Sequence, residues 1–122
     1  MSTIDGFEEF YAQYKEARAP APRGTSRVEK NWLQKLRTTN HWQIEEQHKI
    51  GRYKVDGFVP NLNLVLEFMG CYYHSCIFCG YSKDDKRYTN TMQRLEDLKS
   101  KGYNCFIVWE CQYKKGNLGI YL

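Results

Sequence analysis

The run Leu64-Val65-Leu66-Glu67-Phe68-Met69 constrains this chain more than any other segment. Five of its six residues are apolar, so it reads as a buried β-strand, and the one charge inside it is costly unless something compensates it. Asp56 interrupts a second strand pattern, in which Tyr53, Val55, Gly57 and Val59 recur at alternate positions. The turn Pro60-Asn61-Leu62-Asn63 joins the two strands and predicts that both acids stand at one sheet edge. Carboxylates that converge to about 4 to 6 Å raise each other's pKa unless a cation neutralises them, and Mg²⁺ or Mn²⁺ prefers such hard oxygen ligands. Asp56 and Glu67 are therefore a candidate Mg²⁺ site. The alternative is that Asp56 serves the Asp56-Gly57 bend and Glu67 pairs with Lys54 or Arg52.

The rest of the chain supplies layers for such a sheet. Phe7, Phe10, Tyr11 and Tyr14 predict an amphipathic helix near 4 to 17, and Ala19-Pro20-Ala21-Pro22-Arg23-Gly24 ends it as a linker. Ser26-Arg27-Val28-Glu29 reads as a capping box opening a helix to about Arg37, with Val28, Trp32 and Leu36 inward and Glu29 available as its capping glutamate. A half-buried strand is expected across Trp42, Ile44, His48 and Ile50, with Gly51 turning the chain. After a cysteine-rich loop from Gly70 to about Lys86, a helix is expected from about Thr89 to Lys101, with Met92, Leu95 and Leu98 inward. Tyr103 to Trp109 is a last core strand, and Leu118 to Leu122 a possible edge strand. The fold class is α/β, with the order helix, three strands, helix, strand. Residues 1–25 form an N-terminal helical extension and linker, and 26–122 one domain; 122 residues leave no room for a second.

Composition narrows the function classes. With 42% hydrophobic residues and a mean hydropathy of -0.71, the chain can build a core and has no apolar run that spans a bilayer. Its first residues lack the basic flank and apolar block of a signal peptide, so a soluble, intracellular protein with no membrane partner is expected. The net charge of +4 is uneven. Residues 18–54 carry nine basic residues against Glu29, Glu45 and Glu46, which marks a candidate phosphate-facing segment. The acidic first 17 residues suit a partner protein or a second copy of the chain better than DNA. Five cysteines, an odd number, argue against a secreted disulfide framework and for a metal site. Cys71, Cys76 and Cys79 cluster around His74, Cys76 and Cys79 form a CxxC knuckle, and Cys111 can add a distant ligand. Either Cys79 or His74 can complete the tetrahedron. Cys105 reads as a buried small hydrophobe, and His41 and His48 as ordinary polar residues.

Asp56 followed by Glu67-Phe68-Met69 in this order of elements resembles the PD-(D/E)xK nuclease superfamily, with its restriction-endonuclease-like core. Gly70-Cys71-Tyr72-Tyr73-His74 followed by Ile107-Val108-Trp109-Glu110-Cys111 is similar to the very-short-patch repair (Vsr-like) endonucleases and to homing or selfish-element relatives. The resemblance spans roughly residues 26 to 113. It implies a Mg²⁺-dependent DNA endonuclease, often a nicking one, with a structural zinc beside the active site. By that resemblance Glu29 is the helix acid, Asp56 the metal aspartate and His74 the general acid or base. Zn²⁺ falls to Cys71, Cys76 and Cys111, with Cys79 fourth. Two positions depart from the pattern: Met69 stands where the ExK lysine would, and Thr91 near the aspartate that supports the histidine, with Asp84 or Asp85 as substitutes.

Tyr72 and Tyr73 can stack on bases, or pack inward. Arg87, Arg94, Arg27 and Lys30 are candidate phosphate contacts, and Lys83 and Lys86 flank the same region. The expected activity is hydrolysis of DNA phosphodiesters by Asp56, Glu67, His74 and Glu29. The rivals are a catalytically inactive, zinc-stabilised DNA-binding module of the same fold and a zinc-dependent protein-interaction domain.

Overall fold

The computed structural model describes residues 26–122, so the helix expected at 4 to 17 and its linker lie outside the described residues. Helix α1 (Arg27–Asn40) begins at Ser26, whose hydroxyl accepts from the Glu29 amide at 3.1 Å. Strands β1 (Glu45–Ile50), β2 (Tyr53–Val59) and β3 (Leu64–Met69) follow, then helix α2 (Lys86–Ser100) and strand β4 (Asn104–Trp109). A short helix α3 (Glu110–Lys114) and a two-residue strand β5 (Ile120–Tyr121) close the chain. The five strands form one sheet in sequence order. β1, β2 and β3 pair antiparallel, β4 joins β3 in parallel through the α2 crossover, and β5 pairs antiparallel with β4.

All six residues of β3 are buried because each face of the strand is covered by a helix. Leu64, Leu66 and Phe68 pack with Trp32, Leu33 and Leu36 of α1 and with Phe106 and Val108. Val65 and Met69 pack on the other side with Leu95 and Leu98 of α2, Cys105, Ile107 and Trp109. Glu67 has the parity of this second set. A Cβ at Gly57 would come within 3.0 to 3.2 Å of Ile44, Leu33 and Leu66, so the bare glycine lets α1 approach the sheet.

Several boundaries differ from the sequence expectation. α1 runs on to Asn40 and ends at His41, which takes the left-handed conformation (φ 58°) that closes a helix. Trp42 and Ile44 thus fall before β1 and pack as loop residues on the α1 core, although they alternate like a strand. α2 starts three residues early because Asp85 caps it, accepting from the Arg87 amide at 2.8 Å. α3 has no periodic signal in five residues; it was expected only as tail. The edge strand shortens to Ile120–Tyr121, and the Leu118 carbonyl accepts from the Trp32 indole at 2.7 Å instead. Among the described residues no helix is long and apolar enough to cross a membrane.

Trp32 is fully buried, stacks near Phe106 and tethers the tail through its indole N–H. Trp32→Ala should therefore destabilise the domain by about 3 to 5 kcal/mol, lowering the midpoint of urea unfolding followed by circular dichroism. A shift corresponding to less than about 1 kcal/mol would show that α1 does not close the core.

Candidate active site and cysteine cluster

The two ladders that flank β2 both break at Asp56. β1 pairs with β2 at Glu46 and Gly57 and again at His48 and Val55, skipping Gln47 and Asp56, and Gln47 has a φ of 53°. β2 pairs with β3 only from Gly57 onward. Val55 packs toward α2 whereas Gly57 faces α1, so β2 changes face across Asp56. Continuing the β2–β3 register would set Asp56 opposite Glu67, and there side chains replace the missing ladder bonds. The Phe68 amide donates to Asp56 Oδ2 at 2.7 Å, and the Asp56 amide reaches Glu67 Oε1 at 3.4 Å.

α1 and α2 add the remaining groups. Glu29, in the first turn of α1, is buried, accepts from Gln47 Nε2 at 3.1 Å and lines the same cleft as Asp56 and Glu67. Arg94 of α2 binds Glu67 Oε2 through Nε at 2.6 Å and donates from Nη2 to the Lys54 carbonyl at 2.6 Å. The cation on Glu67 is thus Arg94, which corrects the alternative of Lys54 or Arg52; Lys54 takes part only through its carbonyl. Burial raises the pKa of all three acids. Glu29 is pushed up to about 7 by burial, then by Glu67 and Glu46; Asp56 rises well above the carboxylate range by burial and by Glu67 and Glu29. Glu67 rises by burial, with Arg94 opposing.

These acids line a cleft of about 480 Å³ with His74, Tyr72, Tyr73 and Glu110. His74 Nδ1 lies 2.7 Å from Thr91 Oγ1, and the Thr91 hydroxyl donates its one hydrogen to the Arg87 carbonyl at 2.8 Å. Nδ1 therefore carries the imidazole proton and Nε2 the lone pair. Burial, with Arg94 beside it, lowers the His74 pKa to about 4, so the ring is neutral near pH 7. Thr91 occupies the supporting place for which Asp84 or Asp85 had been substitutes; Asp85 is spent on the α2 cap and on Arg87 at 2.8 Å. Arg87 also donates to the Tyr72 carbonyl at 2.7 Å and stands 4.7 Å from its ring, so it props the loop that holds Tyr72. Tyr73 is exposed, as are Arg27 and Lys30 in the first turn of α1, and neither of these two basic residues lines the cleft. Met69 is buried in the α2 core, far from any role in the cleft that a charge would play.

Beside the cleft, the Sγ atoms of Cys71, Cys76, Cys79 and Cys111 lie within 4.8 Å of one another. His74, engaged with Thr91, is not among the four. The Cys76 and Cys111 sulfurs are 3.7 Å apart, close to the edge of about 3.8 Å of a sulfur tetrahedron with Zn–S bonds of about 2.3 Å. The Cys111 amide donates to Cys71 Sγ at 3.3 Å. The neighbouring thiols hold Cys76 down to about 6, whereas burial and the Cys76 charge push Cys79 up to about 12. Four sulfurs so placed fit one Zn²⁺. Cys105 is fully buried in the α2 core, away from the cluster. His48 stacks on Phe58 at 4.5 Å and pairs with Glu45.

No family of known proteins matches the chain by sequence, and no curated protein does. Among solved structures the chain is similar to the catalytic domain of the homing endonuclease I-Bth0305I, with a TM-score of 0.54 and 15% identity over 75% of this chain and 83% of that one. At that identity the likeness shows the fold, and the fold is endonuclease-like.

Two measurements check the site. A carboxyl whose folded pKa is raised contributes stability below its unfolded value and loses it as pH climbs through the folded value. Hence, in EDTA, Glu29→Gln should match wild-type stability near pH 4.5 and exceed it increasingly as pH rises through about 7; a constant difference across that range would show Glu29 to be solvated. Purified protein should carry one equivalent of zinc by mass spectrometry, and Cys76→Ser should lose it together with several degrees of thermal midpoint. Retention of a full equivalent by Cys76→Ser would remove that ligand.

Proposed function

We propose that this chain is a metal-dependent DNA endonuclease of the PD-(D/E)xK superfamily, of the Vsr-like type, hydrolysing phosphodiester bonds and nicking one strand. The observation that carries the reading is the meeting of Asp56, Glu67 and Glu29 at the broken β2 ladder, in the same cleft as a neutral His74. Three buried acids share Arg94 as ionic partner and hold protons more readily than free carboxyls do; oxygen donors of this kind fit Mg²⁺ or Mn²⁺, whose charge would displace those protons. Asp56 and Glu67 would hold that ion. When bound, it supplies Lewis-acid charge to the phosphoryl oxygens and lowers the pKa of water.

The side chains divide the remaining work. Glu29, reached from α1, orients water by accepting its hydrogen. His74 takes or returns a proton at Nε2, because Thr91 keeps Nδ1 protonated. Arg94 holds Glu67 ionised and in place. Arg27 and Lys30 contact the phosphates, while Arg87, engaged with Asp85 and the Tyr72 carbonyl, props the loop from which the exposed Tyr73, with Tyr72, stacks on bases. Zn²⁺ on Cys71, Cys76, Cys79 and Cys111 fixes the loop that carries His74. A homodimer or partner protein would dock through residues 1–25.

Supercoiled plasmid incubated with the protein and Mg²⁺ or Mn²⁺ tests this. Relaxed circles should form, and Asp56→Ala should reduce their formation by at least 10³-fold while duplex binding and the thermal midpoint persist. Equal cleavage by the variant would overturn the assignment. A second reading rests on Arg94 occupying one oxygen of Glu67 while Met69 is buried without a charge: a DNA-binding module that does no chemistry. Retarded but intact plasmid would establish it.

A further inference from the structure

The turn end of the β1–β2 hairpin concentrates positive charge, while the acids Glu45 and Glu46 stand at the opposite end of β1. Lys49, Arg52 and Lys54 fall within six consecutive residues that contain no acid. Lys49 and Lys54 are directly opposed across the ladder and both exposed. Side chains at directly opposed positions share a face of the sheet, and like charges there are destabilising. Neither lysine forms an ion pair among the described residues. Past the turn, Arg52, Lys101 and Arg94 surround the Tyr53 ring at 5.0, 5.6 and 5.1 Å, and Asp97, held by the Tyr53 hydroxyl and by Arg52 at 3.5 Å, is the acid facing them.

Arg94, which lines the cleft, links this surface to it. Arg94 bonds Glu67 with one nitrogen and the Lys54 carbonyl with another, so the hairpin is fastened to the acidic cluster by a single side chain. Lys54 precedes Asp56 by two residues on β2, about 7 Å of extended chain. That is roughly two base-pair rises of 3.4 Å along the duplex axis. A duplex with one phosphate at Asp56 would bring neighbouring phosphates of the same strand over the hairpin.

We propose that the β1–β2 hairpin, through Lys49 and Lys54 with Arg52 and Lys101 beside them, is a second rail for the DNA backbone, holding duplex phosphates adjacent to the one in the cleft. The inference rests on the nuclease reading for the position of the strand, but it concerns binding and is measured without cleavage. The partner is duplex DNA contacted at its phosphates, with no sequence read by these residues.

The test compares wild type, Lys49→Ala/Lys54→Ala, and Lys35→Ala/Lys115→Ala, which removes the same charge from exposed positions that do not line the cleft. Binding to a 20-base-pair duplex is followed by fluorescence anisotropy without added Mg²⁺ or Mn²⁺ across a salt series, and plasmid nicking with Mg²⁺ separately. The hairpin pair should weaken binding roughly ten-fold at 100 mM salt and reduce the slope of log K against log salt by about 2. Its thermal midpoint should equal or exceed wild type, because a like-charge contact is relieved. Unchanged affinity and slope, or an equal loss in the control pair, would overturn the rail. Wild-type nicking with an unaffected hairpin pair would sink this inference alone. Hairpin-dependent binding without nicking in any metal would sink the nuclease reading and leave the rail standing, and absence of wild-type duplex binding would overturn both.

Discussion

Everything at the centre of this domain depends on two acids set against each other where a β-ladder opens. Regular pairing would have consumed the backbone groups of Asp56 and Glu67 and sent their side chains along the sheet faces. With the ladder open, the carboxylates accept from the Phe68 and Asp56 amides instead. That arrangement satisfies the backbone and leaves uncompensated negative charge in a buried place. Each helix then adds one group: α1 brings Glu29, a third acid whose pKa burial raises to about 7, and α2 brings Arg94, which pairs with Glu67.

The remainder of the fold holds these groups still. β3 and β4 pair in parallel and are buried on both faces, so the strand carrying Glu67 has apolar layers above and below it. The loop after β3 has only a short 3-10 turn, Ile77–Cys79, to stiffen it, and its cysteines meet Cys111 at the start of α3 in a four-sulfur cluster that could hold a metal. His74 sits inside that loop, and Thr91 of α2 determines which imidazole nitrogen keeps its proton. A hydroxyl that donates to its own helix backbone can only accept from the ring, so a neutral residue performs the orienting task for which a carboxylate is the usual choice.

Much of this was legible in the residue pattern. The apolar run with one acid marked β3, the capping box marked the start of α1, and the cysteine spacing marked a site for one metal ion. The likeness to a homing endonuclease catalytic domain agrees with the α/β architecture that those patterns indicated. What pattern alone misplaced lay where no period exists or where two periods compete. Trp42 and Ile44 alternate like a strand yet pack as loop residues, because α1 continues to a left-handed His41 and delays β1. Arg94 reads as a surface phosphate contact on an amphipathic helix, but it is turned toward Glu67, a partner 27 residues away.

The sequence by itself determined which chemistry is available: three acids, one histidine and four cysteines in segments whose hydrophobic period is two or 3.6. Those are local properties, readable because burial imposes a period on neighbouring residues. Only the tertiary structure decided which of these groups meet. The face change of β2 at Asp56, the arrival of Glu29 in the same cleft, the capture of Glu67 by Arg94 and the tautomer set by Thr91 all join residues distant in the chain. No periodicity records such contacts, because they arise from how the layers pack.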